Sequence, residues 1–365
     1  MNAFPTITLC MIVKDEAHCI NSCLESVKGL AGEIIIVDTG SSDQTIEICE
    51  NHGAKVYSYK WKDDFADARN YGLSLSTGDW ILWLDADEEL DATTKSKIPE
   101  ALANTNAHLL SLTVFNYYGK TIPVDKSNAY LIHQLRLFRN YKNITFHNRI
   151  HETPLLPAEI TEKDIESIPV SIHHYGYLQD IVEMKQKGQR NINLLEQELS
   201  DSTHSPWIEY HLASETYRQG KYQQAFHFVN QSILLFLQQS QKPPSLLYKL
   251  KYAILIETDS LDGAWPSIEK AILLYPDYVD LHFYKGYILY KMKNYTEALQ
   301  AFEKCLELGD HHTKHLILKG MGSFKAWKYK GLCLEQLGMM DEAHEAYLYE
   351  KEYKDKLELE NNTSI

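Results

Sequence analysis

Two apolar segments of strand length near the start of the chain each end abruptly in carboxylates. The first, at residues 34–37, stops at Asp38, and the second, at residues 80–84, stops at Asp85 and Asp87. A segment that is apolar at every position is typical of a strand buried on both faces, as in a parallel sheet between helices. Ligands of open α/β sheets bind just beyond the carboxyl ends of such strands. The two segments together predict a site, and the Asp85-x-Asp87 spacing favours a metal ion there over a merely solvated acidic loop.

Strand and helix patterns alternate through the N-terminal half. The predicted strands lie at residues 8–13, 33–37, 55–59 and 80–84, and the predicted helices between them begin near residues 19, 42 and 67. Ser41 or Ser42 is expected to cap the second helix. This order predicts a parallel sheet with helices on both faces. Longer alternating segments follow at residues 107–118, 131–139 and 168–174. They predict an antiparallel addition that carries the acceptor side of the site.

From about residue 207 the strand patterns disappear and a weak repeat begins. Ala225, Ala264, Ala298 and Ala343 each precede a large side chain by four residues, at intervals of 39, 34 and 45 residues. The central interval matches the tetratricopeptide period, and the others need short insertions. Small and large residues in this arrangement predict stacked helix pairs. The histidine-rich insertion at residues 311–315 is expected to be a flexible polar loop, since no carboxylate or cysteine within it completes a metal-ligand set.

The two patterns predict a two-domain protein of the α/β class, with a mostly parallel sheet domain followed by an all-α repeat domain. The 365 residues, 44% of them hydrophobic, are sufficient for two cores. The predicted divisions are a sheet domain at 1–178, a linking helix and boundary at 179–205, helical repeats at 206–354 and a charged, frayed tail at 355–365.

Composition narrows the environment and the partners. A formal charge of −14 argues against a nucleic-acid surface. The apolar stretches are far shorter than the ~20 residues that cross a bilayer. The N-terminal apolar run stops at the acids of residues 15–16 without a basic leader, so no signal peptide is expected. Six cysteines without a CxxC pair predict reduced core thiols. These features predict a cytoplasmic protein.

Four motifs in order resemble those of a known family. They are Leu-Cys-Met-Ile-Val-Lys-Asp-Glu at residues 9–16, Val-Asp-Thr-Gly-Ser-Ser-Asp-Gln-Thr at 37–45, Ala-Arg-Asn at 68–70 and Leu-Asp-Ala-Asp-Glu-Glu at 84–89. Together they resemble the family-two glycosyltransferases, which are nucleotide-sugar-dependent enzymes of the GT-A fold. The resemblance covers about residues 5–177. Within that family the chain is similar to bacterial members with C-terminal helical repeats, a group that includes peptide S-glycosyltransferases of glycosylated-bacteriocin pathways.

The resemblance implies a nucleotide site built on the first two strands. Asp38 corresponds to the family residue that contacts the base, and its carboxylate can accept the ring N–H of a uracil. Ile12 and Val13 lie where the backbone flanks the base, and Glu16 lies where a side chain can reach the ribose. Arg69 is expected to contact the base or a phosphate. The alternative role for Asp38 is to cap the loop that Gly40 turns.

The resemblance also implies a metal site at the Asp-x-Asp motif. Asp85 is expected to hold the ribose or a metal-bound water, and Asp87 to bind the ion directly. Mg²⁺ or Mn²⁺ suits oxygen ligands and a diphosphate. A histidine often completes such sites, and we choose His174 over His173. Residues 88–89 either surround these ligands or simply precede the next helix.

The catalytic base is the last element that the family comparison implies. Inversion requires a carboxylate on the acceptor side of the sugar, opposite the diphosphate. Glu152 lies about sixty-five residues beyond the metal motif, roughly where GT-A enzymes place this acid. A surface glutamate in a loop is the alternative. If the acceptor is a thiol, a strong base matters less, because a thiolate forms easily near neutral pH.

The leading hypothesis is an inverting glycosyltransferase of the hexosyltransferase type that uses a UDP-sugar and a divalent metal. Its repeats would bind a protein or peptide acceptor, or mediate dimerisation. The alternative from another class is a non-catalytic repeat adaptor with a degenerate glycosyltransferase domain. A nucleotidyltransferase shares the sheet and the acidic site, but residues 13–16 are not the glycine- and lysine- or arginine-rich phosphate loop that such enzymes need.

Overall fold

The computed structural model describes residues 5–120, 122–184, 187–200 and 204–362, with side chains except at 182–189 and 360–362. The chain divides into two units. The sheet unit comprises Met1–Tyr118 and His133–Met184, and the helical unit comprises Gly119–Ile132 and Lys185–Ile365. The division after Met184 lies inside the predicted linking stretch. The assignment of residues 119–132 to the helical unit was not indicated by any sequence pattern.

The strands form one mixed sheet and one small hairpin. They are β1 (Ile7–Val13), β2 (Glu33–Asp38), β3 (Lys55–Ser58), β4 (Trp80–Trp83), β5 (Glu88–Leu90), β6 (Leu109–Gly119), β7 (Ala129–Arg139), β8 (Thr145–His147), β9 (Thr153–Leu155), β10 (Ile165–Leu178) and β11 (Ile317–Leu318). The sheet order is β3-β2-β1-β4-β7-β6-β10-β5, and β8 pairs with β9. The pairings β3-β2, β2-β1 and β1-β4 are parallel, whereas β4-β7 and β10-β5 are antiparallel. The predicted parallel core with an antiparallel addition is confirmed.

The helices of the sheet unit lie between these strands. They are α1 (Ile20–Ser26), α2 (Thr45–Asn51), α3 (Phe65–Leu75), α4 (Lys97–Asn104) and α5 (Gln179–Met184). The inner parallel strands β1, β2 and β4 are largely buried, with every residue of β4 buried, whereas β3 at the edge of the sheet is partly exposed. Val13 pairs with Asp38, so the carboxyl ends of β1 and β2 are level at one edge of the sheet. The residues after β4 follow at the same edge, because β4 runs parallel to β1.

The serine cap predicted for α2 is wrong. The helix begins at Thr45 after Gln44, whose side chain does not cap it, and the Asp43 carboxylate accepts the Thr45 N–H at 3.0 Å. Ser41 and Ser42 instead contact Asp15, whose backbone is left-handed with φ of 53°. The Asp15 carboxylate accepts the Ser42 N–H at 2.7 Å, and its own N–H donates to the Ser41 hydroxyl at 3.0 Å. The two serines therefore hold the loop after β1, a long-range contact that the local pattern does not contain.

The helical unit consists of paired helices. Its elements are α6 (Lys187–Leu199), α7 (Trp207–Arg218), α8 (Tyr222–Gln238), α9 (Ser245–Glu257), α10 (Leu261–Ala264), α11 (Ile268–Leu274), α12 (Val279–Lys291), α13 (Tyr295–Leu308), α14 (Phe324–Gln336) and α15 (Met340–Asn362). The predicted small–large pairs form its packing. A Cβ atom at Gly286 would lie 2.8 Å from the ring of Phe302, and one at Gly331 would lie 2.5 Å from Tyr347. The predicted fold class, an α/β domain followed by helical repeats, is confirmed.

Two predictions about the helical unit match the structure only in part. The insertion at residues 311–315 is exposed at His311 and Lys314 as expected of a polar loop, but its last residue is packed: His315 stacks on Tyr278 with ring centres 4.5 Å apart and hydrogen-bonds to Asp277 at 3.2 Å. The charged tail is helical as far as Asn362. Pairs of Lys354 with Glu350 and Lys356 with Glu352, four residues apart, support that last part of α15.

The predicted linking helix from residue 180 to residue 199 is described as α5 and α6, and residues 185–186 between them lie outside the described residues. Across the described residues, the helices are too short or too polar for a membrane-spanning segment.

Candidate active site

The end of β2 carries Asp38, which is 3% exposed. It accepts the N–H groups of Gly40 at 3.0 Å and Ser41 at 3.1 Å, and Gly40 has a φ of 110° that favours glycine. The loop-capping role of Asp38 is therefore present in the structure. Val13, its partner on β1, is buried, and Ile12 is half-buried. The contacts expected of these residues with a base stay predictions.

The turn after β1 positions Glu16 and brings it near two other ligand-type side chains. The Glu16 N–H donates to the Thr45 hydroxyl at 2.7 Å, which fixes the turn against the start of α2. One ligand atom from each of Glu16, His18 and Cys19 lies within 4.8 Å of the others. Cys19 is partly exposed, so it is not the core thiol that the sequence predicted, while the other five cysteines, all within the described residues, are buried. Sequence reasoning missed this group because it treated each residue separately.

Arg69 joins two of the other predicted site residues. It lies on α3, which begins after Asp64 caps the first turn by accepting the Asp67 N–H. Its Nε donates to Glu152 and its Nη2 donates to Asp85, each at 2.6 Å. Only 6% of the Arg69 side chain is exposed. Burial alone would lower the pKa of Arg69, but Glu152 and Asp85 outweigh it and raise that pKa above its ordinary value.

The hairpin that carries Glu152 is held by the neighbouring residue of the same motif. The Asn70 side chain donates to the Phe146 carbonyl at 2.9 Å and accepts the Phe146 N–H at 2.7 Å. It therefore makes the two backbone hydrogen bonds that a neighbouring strand would make to β8. The Arg149 carbonyl accepts the Phe65 N–H at the start of α3. The Ala-Arg-Asn motif therefore positions the predicted base through both its arginine and its asparagine. From the sequence, the Ala-Arg-Asn motif was expected only to contact the nucleotide.

Asp85 and Asp87 lie in different surroundings although they are two residues apart. Loss of solvation would raise the pKa of Asp85, but Arg69 and Arg136 outweigh it and hold that pKa below its ordinary value. Asp87 is 6% exposed, and its Oδ1 lies 3.4 Å from Nε2 of His174. Burial of His174 lowers its pKa, but Asp87 outweighs burial and raises that pKa above the ordinary value.

The Asp87–His174 pair fits a divalent ion. Nδ1 of His174 lies 2.8 Å from the Asn116 side-chain oxygen, so Nε2 is the nitrogen that faces Asp87. Metal-binding histidines are typically oriented in this way by a hydrogen bond from the other ring nitrogen. The 3.4 Å between Nε2 and Oδ1 is close to the separation of about 3 Å expected for adjacent octahedral ligands at 2.1 Å. His173 points elsewhere and contacts Asp91 at 3.1 Å.

Arg136 and Glu88 form a buried pair that the sequence analysis missed. The Arg136 Nη2 atom donates to Glu88 Oε1 at 2.5 Å, and the two side chains are 4% and 0% exposed. Burial raises the pKa of Glu88, and Arg136 opposes the rise. The sequence signal for this pair was weak, because Arg136 shares β7 with the polar residues His133, Gln134 and Arg139.

Comparison with known proteins agrees with this geometry. Residues 8–162 match the family model described as glycosyl transferase family 2, and residues 279–311 match the tetratricopeptide repeat model. The N-terminal part of the chain is therefore similar to the family 2 glycosyl transferases, and part of the helical unit matches a tetratricopeptide repeat. The resemblance identified from the four motifs is confirmed, and the predicted enzyme class is that of the matched domain.

Several curated proteins are similar over part of the chain. A TPR repeat-containing protein of Synechococcus elongatus is 34% identical over 68% of this chain and 61% of its own length. The SPbeta prophage-derived glycosyltransferase SunS of Bacillus subtilis is 30% identical over 63% of this chain and 53% of its own length. An uncharacterized glycosyltransferase of Rickettsia felis is 31% identical over 40% of this chain and 54% of its own length. The chain thus spans about half to three fifths of the length of these relatives. A crystal structure of MamA covers 48% of this chain and 94% of that chain at 18% identity, with a TM-score of 0.41 that is too low to bear on the fold.

Proposed function

We propose that this chain is an inverting glycosyltransferase that moves a sugar from a UDP-sugar to a nucleophile on a peptide or protein. One observation carries the proposal: Arg69 links Glu152, the base candidate on the acceptor-side hairpin, to Asp85 of the metal motif through two hydrogen bonds of 2.6 Å. An in-line displacement requires that the catalytic base and the site of the leaving group are held at fixed positions relative to each other. The Arg69 guanidinium holds Glu152 and Asp85 in this way. The family 2 match supports the same reaction class.

The nucleoside would bind over the ends of β1 and β2. Ile12 and Val13 offer backbone groups beside the base, Glu16 offers a carboxylate to the ribose, and Asp38 offers a carboxylate to the ring N–H. The register that pairs Val13 with Asp38 supports this placement, because it brings the two strand ends level. Asp38 accepts backbone N–H groups, which fix its orientation before a ligand binds.

The diphosphate end would require a divalent ion, Mg²⁺ or Mn²⁺. Asp87 and His174 would hold it, with Asp85 beside them. A bound ion supplies positive charge where negative charge grows on the departing nucleoside diphosphate. Asp85 is already held by Arg69, so its part would be to fix the ribose or a water rather than to bind the ion directly.

Glu152 would act as the general base for a hydroxyl acceptor. Its side chain is 11% exposed, so the carboxylate is sheltered but reachable. Arg69 holds Oε1 at 2.6 Å, which fixes the direction of the carboxylate. The helical repeats would recruit the peptide or protein acceptor or a second copy of the chain, and the reaction would take place in the cytoplasm.

Calorimetry of the full chain with UDP, in the presence and absence of Mn²⁺, tests the proposal. Metal-dependent UDP binding is expected for the natural protein and should be lost in Asp87→Asn, which keeps the shape of the side chain beside His174. Asp91→Asn is the matched control, because Asp91 contacts His173 away from the Asp87–His174 pair. Mass spectrometry should then detect hydrolysis of at least one UDP-sugar. Absence of both binding and hydrolysis would favour the adaptor alternative.

A further inference from the structure

Two arginines of β7 stack on two tryptophans of β4. The antiparallel register pairs Arg139 with Trp80, and its continuation places Arg136 opposite Trp83. The guanidinium carbon lies 4.7 Å from the ring centre in the first pair and 4.0 Å in the second. The pairs have the same chemistry but lie at opposite ends of β4, and Trp83 is the one at the carboxyl end that leads to Asp85. Arg139 therefore serves as a reference for Arg136, because it makes the same stacking contact away from the candidate site.

The hydrogen bonds of the two arginines differ. Arg139 donates to the carbonyl groups of Ala107 at 3.0 Å and Thr105 at 2.9 Å, which is an ordinary structural use. Arg136 donates from Nη2 to Glu88 and to Gln134, while its buried Nε and Nη1 have no hydrogen-bond partner among the described residues. Donors left unpaired in a buried site cost free energy. Stability alone is therefore a poor reason for Arg136, and its contact with Glu88 is the feature to explain.

Glu88 connects Arg136 to the metal motif. One carboxylate oxygen accepts from Arg136 at 2.5 Å, and the other accepts the backbone N–H of Asp85 at 3.0 Å. The Glu88 N–H in turn donates to the Asp85 carbonyl at 3.0 Å. The turn at residues 85–88 is thus closed twice, once by the backbone and once by a side chain that Arg136 holds in place. Asp87 lies inside this turn.

Charge gives Arg136 a second effect. The turn carries the carboxylates of Asp85, Asp87 and Glu88, and Arg69 donates to the first of them. Without Arg136, Glu88 would be a fully buried acid that has lost its hydrogen-bonded cation, and removing one partner of a buried ion pair is strongly destabilising. That cost would be relieved by movement of Glu88, and the movement would change its hydrogen bond to the Asp85 N–H.

We propose that Arg136 is a positioning residue of the sugar-transfer site: through Glu88 it fixes the turn that presents Asp85 and Asp87. The inference rests on the proposed function in that the turn is taken as the donor-side metal site. Removing a group that hydrogen-bonds to a metal ligand and orients it typically lowers metal affinity or activity by about 10–100-fold. In the proposed site, Arg136 contacts neither the catalytic base nor the acceptor. Its removal should therefore change the affinity for the metal ion and kcat.

Three variants of the full chain and one control test the proposal. They are Arg136→Met, Arg136→Lys, the double variant Arg136→Met with Glu88→Gln, and Arg139→Met as the matched control. The first readout is amide hydrogen exchange in a peptide covering residues 84–90. The second is the affinity for Mn²⁺ alone, measured by electron paramagnetic resonance. The third is kcat and KM for hydrolysis of a UDP-sugar.

Arg136→Met should speed exchange at residues 84–90, weaken Mn²⁺ binding by about 10–100-fold and lower kcat more than it changes KM. Arg139→Met should lower the melting temperature yet leave those readouts unchanged. The double variant should bind Mn²⁺ more tightly than Arg136→Met, because the amide introduced by Glu88→Gln keeps an oxygen for the Asp85 N–H without a buried charge. Arg136→Lys, which keeps the charge but not the planar stack, should be intermediate.

Equal behaviour of Arg136→Met and Arg139→Met in exchange and Mn²⁺ binding would overturn the proposal. The proposal would also be overturned if the double variant bound Mn²⁺ no more tightly than Arg136→Met. If Arg136→Met fails to fold, the Arg136→Lys and double variants decide by the same readouts. Should the natural protein bind no Mn²⁺ and hydrolyse no UDP-sugar, the proposed function fails by itself. The exchange data would then still show whether Arg136 holds the turn.

Discussion

At the scale of single residues, Arg69 is the centre of the candidate site. Its guanidinium is stacked against the rings of Trp83 at 4.7 Å and Phe146 at 5.5 Å, and it donates to Asp85 and Glu152. Aromatic faces favour a cation, and two carboxylates fix its direction. Arg69 therefore sets where the predicted base lies relative to the metal motif, so a change at one acid should be felt at the other.

The base assignment gives the first prediction. If Glu152 deprotonates a hydroxyl acceptor, Glu152→Gln should lower kcat by about 10²–10⁴-fold, the usual scale of general-base catalysis. The amide keeps an oxygen for the Arg69 Nε, so UDP affinity measured by calorimetry should change little. With a thiol acceptor the loss should be smaller and should shrink as pH rises, because the thiolate fraction grows without help.

Glu159→Gln serves as the control, since it makes the same change at an exposed position farther along the chain. A Glu152→Gln enzyme with full kcat on a hydroxyl acceptor would remove Glu152 from the role of base. Its part would then be limited to holding Arg69.

At the scale of elements, the parallel strands are tied together at the edge opposite the site. The Glu33 carboxylate at the start of β2 accepts from the Thr8 hydroxyl at 2.6 Å, the Lys55 ammonium at 2.9 Å and the Thr77 N–H at 2.8 Å. These partners come from β1, from β3 and from the turn before β4. One acid thus joins the beginnings of the strands whose ends carry the candidate site.

Glu33 gives a prediction for the pH dependence of stability. Burial would raise the pKa of Glu33, but these hydrogen bonds outweigh it and lower that pKa from 4.5 to about 2. A pKa lowered in the folded state gives stability that is present above the unfolded value and is lost as pH falls toward the folded one. The free energy of unfolding should therefore fall between about pH 5 and pH 2.

Glu33→Gln should make the fall in stability at acid pH shallower and cost about 1.5–3 kcal/mol at pH 7, the range for hydrogen bonds to a charged group. Urea unfolding at several pH values measures both. The same change at Glu50, exposed on α2, should leave that fall as it is. An unchanged fall in Glu33→Gln would contradict the assignment. UDP binding should be unaffected, because Glu33 lies at the opposite ends of the strands.

The sequence predicted the elements that local pattern determines and missed those that depend on distant partners. The strands β1, β2 and β4 were predicted because they are apolar at nearly every position. The start of α2 was not, because Ser41 and Ser42 are held by Asp15, more than twenty residues away. For the same reason, Arg136 and Glu88 were unpredictable as a pair: they are 48 residues apart in sequence. The positions of Asp38, Asp85 and Asp87 followed from strand ends, whereas the link from Arg69 to Glu152 required the fold.

Packing in the repeats gives a further prediction. Gly286 lies on α12 where a Cβ atom would come within 2.8 Å of the Phe302 ring. Gly286→Ala should destabilise the chain by about 1–3 kcal/mol, the usual cost of overpacking a core. At Gly263 on α10, where the nearest atom would be 3.8 Å away, the same change should be neutral or stabilising. Thermal unfolding distinguishes the two, and equal effects would mean that the ring of Phe302 moves aside without cost.

At the scale of the whole molecule, the units do not follow chain order. Residues 119–132 run from the end of β6 into the first part of β7 but belong to the helical unit. There Tyr130 and Leu131 pair with Leu318 and Ile317 of β11, and the Lys319 N–H donates to the Ala129 carbonyl at 2.9 Å. The strand β11 is itself held by Asp280, which is fully buried and accepts the Leu318 N–H at 3.1 Å. Within the helical unit, β11 thus pairs with the first residues of β7.

The pairing of β11 with Tyr130 and Leu131 predicts the outcome of a truncation. A chain ending at residue 199 would keep residues 119–132 but lose β11, so Ala129 and Leu131, which are 0% and 7% exposed in the full chain, would lose their pairing partner. Brief trypsin treatment should then cut the truncated protein at Lys120 or Lys126 much faster than the full chain. Full-length Leu318→Pro should behave in between, because proline removes the N–H that Asp280 accepts while the rest of the repeats remain. Equal cleavage rates in the three proteins would show that residues 119–132 are stable without the repeats, and a separately expressed sheet domain could then be used to test acceptor binding.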